Sequence, residues 1–421
     1  MSYTNVETQK KMKKEELKSL GRDTLLALIV GPLVGLLEAV FGRVLGYVLN
    51  INQSNFNILV PFLPLAGLLI IYMYNRYSKQ SLKGMTIVFE AGQRKRDNVP
   101  LAIIPLAMAG TWITHLFGGS AGREGVAVQI GASLSHNIGK KLGFKTDGRI
   151  LLVTGMAAGF AGLFQTPITA IFFAMEVITT GIMDYEALLP ATVAAFLSCF
   201  TASLFGIKKS TFDISNAIAL TPVNVGKLII LGVAFGIAGT FFSIILSKSK
   251  KFFADKFPNQ YKKIFFMGII LAVFLFLTHG RYSGVGSNLV IECFGDGNIY
   301  AYDWLLKLVF TAFTLAIGFQ GGEVTPLFTA GSCLGYVLGG LLGLPPVACA
   351  AFGYAAVFGS GTNTLLAAIF IEIEVFGSAD MLPAIIICII AYMINGNKSI
   401  YSAQQNFWIE RKKEKTEGAA K

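Results

Sequence analysis

The sequence predicts an all-α polytopic membrane protein, and three observations predict it. Of its 421 residues, 54% are apolar and only 14% are charged, against about 25% charged in an ordinary soluble domain. Nearly uncharged runs recur along the whole chain, many of them close to the ~20 residues that cross a bilayer as a helix. The chain also repeats itself, and a duplicated apolar half is a frequent plan among secondary transporters.

The runs fall, in order, at 23–41, 57–73, 99–117, 150–180, 187–206, 225–246, 264–279, 304–319, 324–357 and 364–394. No polar stretch between them is long enough for a separate soluble domain. The net charge of +11 lies mostly outside the runs, in QKKMKKEELK (9–18), GQRKRD (92–97), GKKLGFKTDGR (139–149), SKSKKFFADKFPNQYKK (247–263) and ERKKEKTEGAAK (410–421). Lys/Arg-rich flanks favour the cytoplasmic side, so both termini are expected there. The basic residues then report topology and contact with anionic lipid rather than nucleic acid. The first 20 residues carry no small-residue cleavage site, so no removable signal peptide is expected. Residues 1–20 read as a cytoplasmic segment, 21–405 as the transmembrane domain and 406–421 as a cytoplasmic tail.

Cys199, Cys293, Cys333, Cys349 and Cys388 show no CxxC spacing, and most lie in apolar runs, where they read as small hydrophobes. His115, His136 and His279 have no ligand-like spacing. Neither a cofactor nor a metal is implied.

The repeat is visible as two blocks. GMAAGFAGLFQTPITAIFFAMEV (155–177) matches GYAAVFGSGTNTLLAAIFIEIEV (353–375) at ten of 23 positions, including Gly155/Gly353, Phe160/Phe358, Thr166/Thr364 and Glu176/Glu374. Upstream, GREGVAVQIGASL (122–134) lies on GEVTPLFTAGSCL (322–334), keeping Gly122/Gly322, Gly131/Gly331 and Leu134/Leu334. The first repeat is placed at about 21–206 and the second at about 224–395. Each upstream copy is a glycine-containing turn that opens an apolar helix. Glycine permits the turn and close backbone approach, and a helix start offers unpaired N–H groups and partial positive charge. Two such starts meeting from inverted halves near the bilayer midplane would hold an anion without a full positive charge.

These residues resemble the CLC family of anion channels and proton-coupled anion exchangers. The family's GREGP pattern stands here as Gly122-Arg123-Glu124-Gly125-Val126, its GGxFxP pattern as Gly321-Gly322-Glu323-Val324-Thr325-Pro326, and its tyrosine after the last membrane helix as Tyr401. The resemblance covers roughly 20–405. Its departures are specific. The anion-binding loop that usually reads GSGIP stands as Gly84-Met85-Thr86-Ile87, so Met85 replaces a serine. Val126 replaces a proline, Val324 a phenylalanine, and Val177 stands where chloride exchangers carry a second glutamate. Together these are similar to the family's fluoride-transporting clade, the fluoride/proton antiporters of bacteria.

The resemblance implies a fold of inverted repeats with broken helices, fluoride and protons as cargo, and a homodimer with one pathway per subunit in the bacterial plasma membrane. It places anion contacts at Gly84, Met85, Thr86, Gly122, Arg123, Gly125, Val126, Val324, Thr325 and Tyr401. An ionisable group inside a membrane segment costs about 2.5–3.5 kcal/mol on insertion scales and is therefore usually functional. Glu124 is expected to be the gating and proton-carrying carboxylate, a tethered stand-in for the anion that leaves when protonated. A salt bridge to Arg123 or a helix-cap contact is its structural alternative. Glu323 is a candidate second carboxylate, or else a cap on the helix it precedes. Glu176 and Glu374 occupy equivalent repeat positions, which favours a structural role such as capping or interface pairing; Glu90 and Glu292 have no assigned role. Met85 gives no physical derivation of selectivity.

Other readings remain open at this point. A proton/chloride exchanger or passive anion channel would use the same scaffold. An intramembrane enzyme using Glu124 and Glu323 as an acid/base pair would need a nucleophile or metal that the sequence does not offer. A receptor or purely structural role is disfavoured by the lack of a sizeable extramembrane region.

Overall fold

The computed structural model describes residues 4–143, 148–212, 214, 218–295 and 297–411, with side chains from residue 17 onward. Among the described residues, sixteen helices of eight residues or more follow one another. In the first half they are α1 (Thr4–Ser54), α2 (Leu63–Tyr77), α3 (Met85–Gly92), α4 (Ile103–Leu116), α5 (Glu124–Lys141), α6 (Gly148–Phe164), α7 (Pro167–Val177) and α8 (Leu188–Leu204). In the second they are α9 (Pro222–Lys256), α10 (Gln260–Leu277), α11 (Ser287–Phe294), α12 (Asp303–Ile317), α13 (Val324–Leu342), α14 (Pro346–Thr362), α15 (Leu365–Phe376) and α16 (Met381–Ile394). The order of lengths repeats, so α3 answers α11, α5 answers α13 and α7 answers α15. Among the described residues, six helical segments are long and apolar enough to cross a bilayer. The helices are otherwise short and broken, as the expected plan of inverted repeats requires.

The apolar run 150–180 is not one helix. It stops at Gln165, whose φ is +61°, and restarts at Pro167. The matching break in the second half falls at Asn363, φ +59°, before Leu365. Proline favours a first helical position because its missing N–H had no partner there; the second half makes the same break without one.

The broken starts are capped across the halves. Glu374 of α15 accepts from the amides of Ile168 (3.1 Å) and Thr169 (2.7 Å) and from the Thr169 hydroxyl (2.6 Å) at the start of α7. Glu176 of α7 accepts in return from the amides of Leu366 (3.1 Å) and Ala367 (3.2 Å) at the start of α15. The repeat-equivalent glutamates are therefore reciprocal caps. A second reciprocal pair lies at α4 and α12. The amide of Ser120 donates to the hydroxyl of Thr314 (3.3 Å), and that of Gln320 to the hydroxyl of Thr114 (3.2 Å). Such exchanges are what a pseudo-two-fold axis between inverted halves generates. Glu374→Ala removes the acceptor of the Ile168 amide, which is exposed, and of the buried Thr169 amide and hydroxyl, where a buried donor left unpaired costs roughly 1–3 kcal/mol. The variant is expected to unfold several degrees below the wild type in a detergent melt, and an unchanged midpoint would contradict the cap.

Close packing inside each half uses matched glycines. A Cβ on Gly131 of α5 would overlap the carbonyl oxygen of Gly155 on α6, and one on Gly331 of α13 would overlap that of Gly353 on α14. Helices associate through such small residues where lipid is as apolar as leucine.

One departure from an all-α reading is a two-stranded parallel sheet, β1 (Thr179–Thr180) with β2 (Gln405–Asn406). It ties the segment after α16 to the end of α7. The polar side chains beside it finish the tie. Gln404 donates to the carbonyls of Val177 (2.8 Å) and Thr362 (2.9 Å), and the amide of Ile400 donates to the carbonyl of Gly361 (2.9 Å).

Candidate functional site

The two glycine turns meet. The amide of Gly122 donates to the carbonyl of Gly322 at 2.6 Å, and the amide of Gly322 to the carbonyl of Gly122 at 2.7 Å, in a reciprocal antiparallel pair. A Cβ on Gly122 would lie 2.9 Å from the Gly322 oxygen and 2.7 Å from the Thr325 hydroxyl, so only glycine allows this approach. The pair sets the start of α5 against the start of α13.

Glu124, the first residue of α5, is 1% exposed and reaches across the seam. Its Oε2 accepts from the Thr325 amide at 3.0 Å, from the Thr325 hydroxyl, and from the Arg123 amide at 3.3 Å. The Thr325 hydroxyl in turn accepts from the Arg123 amide at 3.2 Å. Oε1 lies 3.6 Å from Arg123 Nε but takes no hydrogen bond. The carboxylate thus occupies the N-terminus of the opposite helix, where N–H groups and the helix dipole favour an anion. The Arg123 ion pair and this contact coexist.

The remaining residues singled out from sequence form a second group. A cavity of about 350 Å³ is lined by Gly84, Met85, Thr86, Gln129, Glu323 and Tyr401, among others. Gly84, φ +52°, closes the 3₁₀ turn Lys79–Lys83 and begins α3 over this cavity. Tyr401 is 5% exposed; its ring packs on Phe89 with centroids 5.0 Å apart, and its buried Oη has no hydrogen-bond partner. Val126 and Val324 are buried beside the seam, and the amide of Val126 is committed to the Arg123 carbonyl at 3.1 Å. Gly125 faces Glu323, whose Oε2 would lie 3.4 Å from a Cβ there.

Glu323 does not cap α13: it stands at the cap position, but its side chain makes no cap bond. Its Oε1 pairs instead with Lys250 of α9 at 3.1 Å. The carboxylate therefore carries a counter-ion on the cavity side of the Glu124 seam. Glu90 pairs with Lys83 (3.8 Å) and Arg96 (3.6 Å), and Glu292 with Arg281 (3.1 Å), all away from the seam.

Sequence reasoning passed over three side chains near this centre. Lys250 is 73 positions from its partner, and pairing over that distance leaves no local signal. Lys307 lies inside an apolar run and is fully buried. Its Nζ donates to the Ser120 hydroxyl (3.0 Å) and to the carbonyls of Tyr282 (3.1 Å) and Gly284 (2.8 Å), lacing the two halves together. A lone charge in a membrane run was the signal to read. The third is Gln129, five residues along α5 from Glu124 and facing the cavity.

A sequence profile of the family described as voltage gated chloride channel matches residues 66–396. The chain belongs to the CLC family. Among curated relatives, the chloride/fluoride channel protein of Pseudomonas syringae pv. tomato is 33% identical over 351 residues, covering 82% of this CLC chain and 77% of that protein. The H(+)/Cl(-) exchange transporter ClcA of Yersinia pestis bv. Antiqua is 24% identical over 415 residues, covering 90% and 86%. Among solved structures, a CLC-type fluoride/proton antiporter superposes with a TM-score of 0.91 at 44% identity, covering 92% of this chain and 98% of that one. A slow cyanobacterial Cl-/H+ antiporter superposes with a TM-score of 0.78 at 20% identity, over 93% and 98%, which is a likeness of fold.

Proposed function

We propose that this CLC protein is a secondary active transporter that moves fluoride out of a bacterial cell in exchange for protons. The observation that carries the reading is the Glu124 carboxylate seated on the N-terminus of α13, held by the Thr325 amide and hydroxyl. A carboxylate in that position is an anion already bound, so fluoride and Glu124 compete for one set of donors. A proton on Glu124 removes the attraction and frees the position. Anion and proton movement are then linked through one side chain. The 44% identical fluoride/proton antiporter supports fluoride as the anion.

Glu323 acts as the second carboxylate, on the cavity side of the seam. Lys250 balances its charge while it is ionised. Met85, Thr86 and Gly84 at the start of α3 and Tyr401 opposite form the cavity-side anion contacts; Gly122, Arg123, Gly125, Val126, Val324 and Thr325 build the seam. The protein lies in the plasma membrane with both termini in the cytoplasm and works as a homodimer with one pathway per subunit.

The test is reconstitution in liposomes with a fluoride electrode and a pH readout, repeated with chloride. Fluoride efflux accompanied by opposite proton movement is the expected result. Fluoride movement that shifts no protons, or coupled movement of chloride instead, refutes it. Glu323→Gln is expected to lower coupled turnover by at least ~10-fold while Glu323→Ala does no better; wild-type proton flux in both variants would remove Glu323 from the pathway.

A further inference from the structure

Gln129 has a feature that a buried structural amide lacks. It is 8% exposed, and among the described residues its carboxamide has no hydrogen-bond partner. Buried polar side chains that serve packing are almost always paired. This one instead lines the cavity and lies over the start of α3. A Cβ built on Gly84 would be 3.4 Å from its Oε1 and 3.5 Å from its Nε2, so the two ends of the amide are equally placed and either can turn inward. The first N–H groups of α3 have no partner within the helix. Beside them Met85 brings a thioether, which cannot donate. The Gln129 amide is open to the cavity; across it, the Tyr401 hydroxyl is sealed from solvent and unpaired.

Two neutral donors therefore face one helix start, and none of the described residues satisfies them. A small anion of high charge density satisfies both. Neutral donors suit an anion that must leave again, because each contact is worth less than one from a full charge. Fluoride depends on them more than chloride does, since its shorter radius draws each N–H or O–H closer.

We propose that Gln129 donates its amide N–H to the fluoride at the start of α3, in place of the hydroxyl that Met85 cannot offer, and so sets the preference for fluoride over chloride. This rests on the fluoride/proton exchange read above.

The test uses the full protein in liposomes, with Gln129→Met, which keeps the bulk and removes the donor, and Gln129→Glu, which keeps the shape and reverses the charge. In Q129M the fluoride KM is expected to rise roughly ten-fold or more, the scale of one hydrogen bond to a charged partner. The number of protons moved per fluoride stays as in the wild type, and the chloride KM moves by less than the fluoride KM. In Q129E the fluoride KM also rises, and the defect shrinks as pH falls and the new carboxyl protonates; a packing role would show no such pH dependence. A fluoride KM within two-fold of wild type in Q129M overturns the proposal. So do equal losses for fluoride and chloride, which would mark a packing defect. Should Q129M not yield a monodisperse protein, the pH dependence of Q129E decides alone. Proton coupling of the wild type, measured in the same vesicles, judges the exchange reading separately from the Gln129 assignment.

Discussion

Glu124→Gln is expected to carry fluoride without protons. The amide has nearly the same shape and still fits the pocket made by the Thr325 amide and hydroxyl. It cannot hold a transferable proton, and it loses the charge that the α13 start attracts. A hydrogen bond to a charged group is worth about 1.5–3 kcal/mol and one to a neutral group about 0.5–1.5 kcal/mol. The replacement therefore holds its seat less firmly, and fluoride competes for it more easily. In vesicles clamped with a potassium ionophore, fluoride efflux should persist while accompanying proton uptake falls to the background of empty liposomes. The simultaneous electrode and pH recording measures both. Proton uptake at the wild-type ratio would show that another group carries the proton.

The second large effect is on folding. Gly331→Val should give no monodisperse protein, and Gly131→Val should match it. A Cβ at either position overlaps a backbone carbonyl on the next helix, Gly353 or Gly155. Backbone cannot swing aside as a side chain can, so α13 would have to leave α14. Disruption on this scale exceeds ~4 kcal/mol, the range reserved for broken cores. Gly340, further along α13, is the control. Nothing lies within 4 Å of a Cβ there, and alanine should be tolerated, with a small gain from helix propensity. Size-exclusion profiles of the three variants in one detergent give the comparison. A sharp Gly331→Val peak would mean that the helix pair is not held by that contact.

The sequence carried the architecture well because the code for it is coarse. Apolar runs and a duplicated block needed only composition and spacing. The equivalence of Glu176 and Glu374 pointed to a structural role, and their exchange of caps supplies it. The helix breaks were less legible. The run 150–180 is continuously apolar, and its break turns on Gln165 adopting a left-handed backbone that glycine would have advertised. Long-range pairing was invisible: neither the Lys250 contact with Glu323 nor the Lys307 contact with Ser120 leaves a local pattern that names its partner. Gln129 escaped for another reason. An amide among GVAVQIGASL reads as an ordinary polar interruption until its lack of a partner can be seen. The β1/β2 pair, two residues on each side, is too short for any alternation to show.

The reciprocal caps bear on how the chain is made. Glu176 meets the amide it accepts from, that of Leu366, only 190 residues later, and Gly122 meets Gly322 on a similar delay. At roughly 5–20 residues per second of synthesis, the first half waits about 10–40 s in the bilayer before its partner is translated. During that interval it holds uncapped helix starts and an acidic side chain with nowhere to dock. Such an intermediate suits capture by insertion machinery or quality-control proteases, and a synonymous change that slows translation of the second half would lower yield without altering one amino acid.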